Sequence, residues 1–236
     1  MLTPRYAGWP DAAVALVERG VARHGGWDRW TDLRRVSFRP MNLAGALPWA
    51  KGNGRTFSLP PAVDTFPHDR RTVFHDYPGP GSIGVFDRGD VRIDGPEPAA
   101  SADHRTLVPR LRRWRPIDAL YFFGYALWHY HSLPFTLGDA AFVRLRGSAL
   151  TVDFPPDVPT HSRRQTFHFD GDGRVRRHDY TADVVGAFAR GAHFWDEPAH
   201  VGGFVFAGRR VVLPRILGGT LPIPVLTAEV RDFTIG

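Results

Sequence analysis

Histidine and tyrosine are the side chains in this sequence best suited to moving protons, and they recur together. Tyr125 and His129 stand four apart in the run DALYFFGYALWHYHSLPF, residues 118–135. On a helix that spacing puts both on one face. His178 and Tyr180 stand two apart in an alternating run, so on a strand they project to the same side. A histidine or tyrosine held against a reacting group contributes typically about 10²–10⁴-fold as general acid or base. These four are the candidate catalytic residues. Tyr121, Gly124, Trp128, Phe167, His193 and Trp195 are the candidate walls of a ligand site around them.

Other chemistries find little support. The tripeptide His-Asp-Tyr occurs at 75–77 and again at 178–180. Neighbours on a strand point to opposite sides, so His and Asp of one copy cannot share an ion. A metal would need histidines from separate strands, such as His75, His178 and His193, and no spacing supports that set. Asp170-Gly-Asp172-Gly lacks the further acidic ligands and closing Glu of a calcium loop and reads as a turn. No serine sits in a G-x-S-x-G elbow. Gly79-Pro-Gly-Ser is broken by proline as a phosphate loop. The chain has no cysteine, which excludes disulfides, thiolate ligands and a cysteine nucleophile. No metal and no cofactor are expected. What remains is acid–base chemistry on a substrate folded in a dry pocket.

Such residues need a scaffold, and the aromatic run indicates which kind. Pro116 opens a helix over 116–131 and Pro134 closes it, about 24 Å in all. Every face of this helix carries an aromatic or aliphatic side chain, so it must be wrapped by protein or line an apolar cavity. Gly124 in its middle costs about 1 kcal/mol relative to alanine, and either a crossing strand or a ligand must need its smallness. A first helix spans 10–25, from Pro10 and Asp11 to the stop at Gly25–Gly26. Trp27 and Trp30 form a short turn beneath it. Residues 95–115 read as a polar connector with a helical turn near 107–114. The rest alternates as strands, about ten of them, with a hairpin turn at 170–173. Counted from that turn, Gln165 faces His178, Phe167 faces Arg176 and Arg164 pairs with Asp179. Neither face of this hairpin is then wholly apolar, which implies that the concave side holds polar groups.

Sequential strands with two helical segments give an α+β fold: a strongly curved antiparallel half-barrel with helices covering its concave face, as a single domain over 1–236. The 236 residues are 43% hydrophobic and 23% charged, ordinary for a globular core. The net charge is +6, nearly all from arginine, since Lys51 is the sole lysine. The arginines are scattered, often as pairs such as Arg34–Arg35 and Arg209–Arg210, with no basic stripe on a helix, so no nucleic-acid partner is expected. Asp11 and Glu18 interrupt the first segment as a signal sequence. No stretch reaches the roughly 20 apolar residues of a membrane span. A cytoplasmic setting is expected.

Two resemblances attach to these residues. The order helix, strands, aromatic helix, strands resembles the periplasmic lipoprotein carriers (LolA/LolB-like), whose open half-barrel is lidded by helices and holds acyl chains. The hairpin RQTFHFDGDGRVRRHDY and the turn from Val201 to Ala207 carry most of that likeness. It implies the fold and an acyl-sized cavity; the carriers' export signal is not matched, so their transport role is not implied. The segments YFFGYALWHYHSLPF and HDYTADVVG resemble a group of uncharacterised bacterial proteins, from which the chain departs at His129, where asparagine is more usual. The expected function is binding of a hydrophobic small molecule, acyl, isoprenoid or polyketide-like. The alternative is a cofactor-independent cyclase, isomerase or hydratase of bacterial small-molecule metabolism.

Overall fold

The backbone of the whole molecule follows from one long antiparallel ladder. The structure is a computed structural model and describes residues 5–52, 57–96, 100–103 (backbone only) and 113–236. The strands are β1 (Val36–Ala44), β2 (Ala62–Phe66), β3 (Arg71–His75), β4 (Ile83–Asp87), β5 (Asp90–Asp94), β6 (Ala100–Asp103), β7 (Ala141–Arg146), β8 (Ala149–Asp153), β9 (Arg164–Phe169), β10 (Val175–Thr181), β11 (Arg190–Val201), β12 (Phe204–Ile216), β13 (Gly219–Thr220) and β14 (Leu226–Ile235). Thirteen run in the order β6-β5-β4-β3-β2-β1-β14-β12-β11-β10-β9-β8-β7, and β13 pairs with β12 alone. Most steps join sequence neighbours, although a helix lies between β1 and β2 and β12 pairs with β14 across the short β13. The long-range step is β1 with β14, where Val36 faces Ile235. That pair joins the two halves of the chain into one sheet that ends at β6 and β7 without closing.

The sheet is a curved α+β half-barrel, as expected, with more strands than the ten anticipated. β2, β6 and β13 were missed. The expected connector over 95–115 contains edge strand β6, and its expected helical turn near 107–114 falls largely outside the described residues.

Alternation decides which face is the core. β2 and β3 bury every second residue. A single rung of facing residues crosses six strands, Leu150, Phe167, His178, His193, Val212 and Leu226. Successive side chains on a strand alternate sides, so this rung and those two residues away line the concave face. The β9–β10 hairpin corrects the register counted from its turn. A bulge between Val175 and Arg177 makes Phe167 face His178 and Phe169 face Val175. The bulge throws Arg174 and Arg176 off the buried face and restores an inward set of Phe169, Val175, Phe167, His178, Gln165 and Tyr180. Arg164 accordingly pairs with Asp153 at 2.8 Å rather than with Asp179. Asp179 is held by Arg177 at 2.6 Å and His168 at 3.0 Å.

Helix α1 (Asp11–Arg23) and the short α2 (Gly26–Asp32) flank one end of the trough, and α3 (Ala46–Lys51) follows β1. Gly25 and Gly26 take φ of 125° and 81° between the first two helices, backbone that favours glycine. The long helix α4 (Pro116–Ser132) lies in the trough. The Arg115 backbone N–H donates to the Asp118 carboxylate at 2.8 Å, closing the first turn, and Pro116 occupies N1, where no amide hydrogen is needed. Thr72 of β3 donates to the Gly124 carbonyl at 2.9 Å. A Cβ at Gly124 would stand 2.4 Å from the Phe86 Cβ. The crossing strand β4, not a ligand, is what needs this glycine. After α4, a 3-10 turn over Phe135–Asp139 leads to β7.

Candidate ligand-binding site

Helix α4 packs solidly along two stripes and leaves a void along the third. Tyr121 and Gly124 face Phe86. Trp128 is buried and its indole N–H donates to the Pro67 carbonyl at 2.7 Å. His129 faces Phe154, Phe167 and His178, and Tyr125 faces His161 in the loop between β8 and β9. The third stripe, Ala119, Phe122, Phe123, Ala126, Leu127 and Tyr130, follows helical spacing and lines a cavity of about 450 Å³. The opposite wall comes from Phe38, Leu43, His193, Arg210, Val212, Leu226 and Val230 on the central strands. Lys51 of α3, Leu59 and Phe188 also belong to its lining. Phe188 is 75% exposed and Leu59 37%, so they mark the rim. Almost the whole lining is apolar, and the volume lies in the range of about 300–1,000 Å³ usual for small-molecule sites.

Polar groups gather at one end of this wall. His161 is buried between two tyrosines: its Nδ1 lies 3.0 Å from the Tyr125 hydroxyl and its Nε2 2.5 Å from that of Tyr130. A neutral imidazole has one donor and one acceptor nitrogen, so one tyrosine must accept from it while the other donates. The ring stacks on Tyr180 at 3.9 Å. Gln165 donates to the Thr160 hydroxyl and the Ser162 carbonyl, each at 2.5 Å. Its amide oxygen must therefore accept from His178 Nε2. That fixes the tautomer and leaves His178 Nδ1 without a partner. His178 also stacks on Phe167, 4.5 Å between centroids. Thr65 donates to the Val36 carbonyl at 3.3 Å and so accepts from His131 Nδ1 at 3.0 Å. Neither ring nitrogen of His129 or of His193 makes a hydrogen bond.

Burial keeps this assembly neutral. It drives His129 down to about 3, against a small opposing effect from Gln165. His131, His161, His178 and His193 are likewise pushed far below the usual imidazole value, first by burial; the charge of Arg210 adds to this at His131, His178 and His193. Tyr125, Tyr130 and Tyr180 are pushed up by the same loss of water. Arg210 is the exception. Its guanidinium sits over the rings of Tyr130 and Trp195, 4.7 Å and 4.8 Å from their centroids. Burial lowers it to about 10, so it remains a cation at neutral pH.

The ten residues singled out from the sequence thus fall into three places. Tyr180 and His193 line the cavity. His178, His129, Tyr125, Phe167 and Trp195 are packed around the polar cluster beside it. Tyr121, Gly124 and Trp128 look toward β4 and the loop after β2, away from the cavity. His75 lies apart from His178 and His193, bonded to Asp64 at 2.9 Å. Sequence reading missed Tyr130, His161, Gln165 and Arg210. Arg210 had a signal: Phe204, Phe206, Gly208, Arg210 and Val212 alternate along one strand, which puts this arginine on the apolar face. His161 had none, since it sits in the loop between β8 and β9.

No family model matches the chain. No curated protein matches it by sequence. Among solved structures, it is similar to a LolA superfamily protein from Nitrosomonas europaea, with a TM-score of 0.50 at 9% identity over 94% of this chain and 92% of that one. It is also similar to a DUF1329 family protein from Desulfovibrio piger, with a TM-score of 0.51 at 11% identity over 96% and 94%. At such identities the likeness is one of fold alone, and it says that this chain has a LolA-like fold, an open antiparallel half-barrel with helices in its trough.

Proposed function

We propose that the chain acts as one domain, in a cytoplasmic setting, to bind a hydrophobic small molecule, acyl, isoprenoid or polyketide-like, in the cavity beside α4. The observation that carries this reading is the pairing of one helix stripe, Ala119 to Tyr130, with an apolar wall of central strands around about 450 Å³. Burying an apolar ligand there gains about 25 cal/mol for each Å² removed from water. The LolA-like fold is consistent with a trough of this kind. Among the described residues no helix is long and apolar enough to cross a membrane. The test is native mass spectrometry of the purified protein, followed by solvent extraction and a lipid panel read by tryptophan fluorescence. Co-purification of an apolar compound, or saturable quenching by one member of the panel, supports binding. A protein that carries no such compound and responds to none refutes it.

A second reading, a cofactor-independent cyclase, isomerase or hydratase, draws on His193, whose free ring nitrogens meet the cavity wall beside Tyr130 and Tyr180. Its depressed basicity weighs against it, because a general base works best with a pKa near the working pH. Incubating the extracted compound with fresh protein separates the two. A new product that His193→Asn abolishes favours catalysis; recovery of unchanged compound favours binding.

A further inference from the structure

The cavity contains a charge that no described residue answers. Arg210 is only 3% exposed. Its Nε and Nη1 have no hydrogen-bond partner, and it makes no ion pair among the described residues. The rings of Tyr130 and Trp195 offset part of the lost hydration. The titratable groups around it are Tyr130, Tyr180, His131, His178 and His193, and all are held neutral. Among the described residues the cavity lining includes one acidic residue, Glu229. It lies opposite Arg209, while Ala228 lies opposite Arg210, so alternation turns the Glu229 side chain to the other face of the sheet. An unpaired buried charge is among the most costly features a fold can carry. Its planar fork of donors matches a carboxylate in two-point contact.

We propose that Arg210 is the receptor for a carboxylate, and that the molecule bound is a hydrophobic monocarboxylic acid. This rests on the binding function argued above and names the chemical class of its ligand. The acid enters head first. Its head meets Arg210, with the free nitrogens of His193 one strand away, and its tail lies along Phe122, Ala126 and Leu226 toward Phe188 at the rim. Arg210 is the one cation beside the neutral imidazoles, which matches a monoanion; of the lining's other cations, Lys51 lies over the Trp114 ring and Arg190 is exposed. A phosphate dianion would leave excess negative charge in a low-dielectric pocket.

The experiment compares cis-parinaric acid with its methyl ester, both followed by their own fluorescence on the full chain. The wild type is expected to bind the acid at least about tenfold more tightly than the ester, the range of a hydrogen bond to a charged group. Arg210→Met is expected to bind both alike, at the affinity of the ester for wild type. Without ligand, its Tm should rise by about 2–4 °C or more, since a buried unpaired charge has been removed. Equal binding of acid and ester by the wild type overturns the inference without recourse to any variant, and a preference that survives in Arg210→Met overturns it too. Ester binding separates this failure from that of the cavity reading. A wild type that binds the ester but does not favour the acid keeps its apolar site and loses only the carboxylate receptor. A wild type that binds neither loses both.

Discussion

Five histidines, 129, 131, 161, 178 and 193, are buried beside a single arginine, and their neutrality sets how the protein meets acid. Each has its folded-state pKa depressed by burial, whereas an unfolded histidine titrates near 6.5. Above that value both states are neutral and these groups leave stability unchanged. As pH falls through it, the unfolded chain takes up protons that the folded chain refuses, so stability drops by up to about 1.4 kcal/mol per pH unit for each histidine. The urea midpoint should therefore be level between about pH 7.5 and 9 and fall steeply between about pH 6.5 and 5; a level midpoint across the lower window would show that these rings are hydrated or charged in the native state. Legibility at this scale was uneven. That Tyr125 and His129 share one face, and His178 and Tyr180 another, was legible from their helical and strand spacing. Arg210 was hidden by its neighbour Arg209, since a pair of arginines looks like a solvated surface until strand alternation separates them. The Gln165–His178 contact followed from reading the hairpin, but His161 reaches Tyr125 and Tyr130 from a loop, and no local pattern encodes that.

Helix α4 fits its trough because one residue has no side chain. With 2.4 Å between a Cβ at Gly124 and that of Phe86, Gly124→Ala sets a helix-propensity gain of about 1 kcal/mol against overpacking of about 1–3 kcal/mol. Gly124→Val adds two methyl groups at the same place. Stability should fall in the order glycine, alanine, valine in urea titrations, and an alanine variant as stable as glycine would mean that helix and strand move apart freely. The helix itself was readable, to within one residue at its C-terminus, because proline marks its start and follows its end and the apolar character is continuous. What could not be read was which stripe meets the void. On a helix that is apolar all round, composition is the same in every direction and only the packed partners distinguish them. The β9–β10 register was misjudged for a different reason. A bulge inserts a residue without a diagnostic sequence, and it is this bulge that turns Arg176 outward and leaves His178 opposite Phe167.

Across the whole molecule, the half-barrel depends on the pairing of β1 with β14, strands from opposite ends of the chain. Sequence neighbours make most other steps; those turning at 88–90 and at 170–173 were visible between alternating runs, whereas those through β2 and β6 were not, because these strands were missed. The β1–β14 step was not visible, because nothing local in either strand specifies a partner so distant in sequence. That step places Phe38 and Leu43 of β1 beside Leu226 and Val230 of β14 and next to Arg210 of β12, so the cavity wall exists only when both halves are joined. The most direct measurement of the account is binding of a neutral apolar dye, N-phenylnaphthylamine, to the wild type and to Ala126→Trp. Ala126 is buried on the cavity stripe of α4, and an indole there fills the void while circular dichroism and Tm report that the fold persists. The account predicts saturable dye binding by the wild type, weakened at least about tenfold in the variant, a loss of about 1.4 kcal/mol or more. Absence of binding by the wild type, or equal binding by a folded Ala126→Trp, would contradict it.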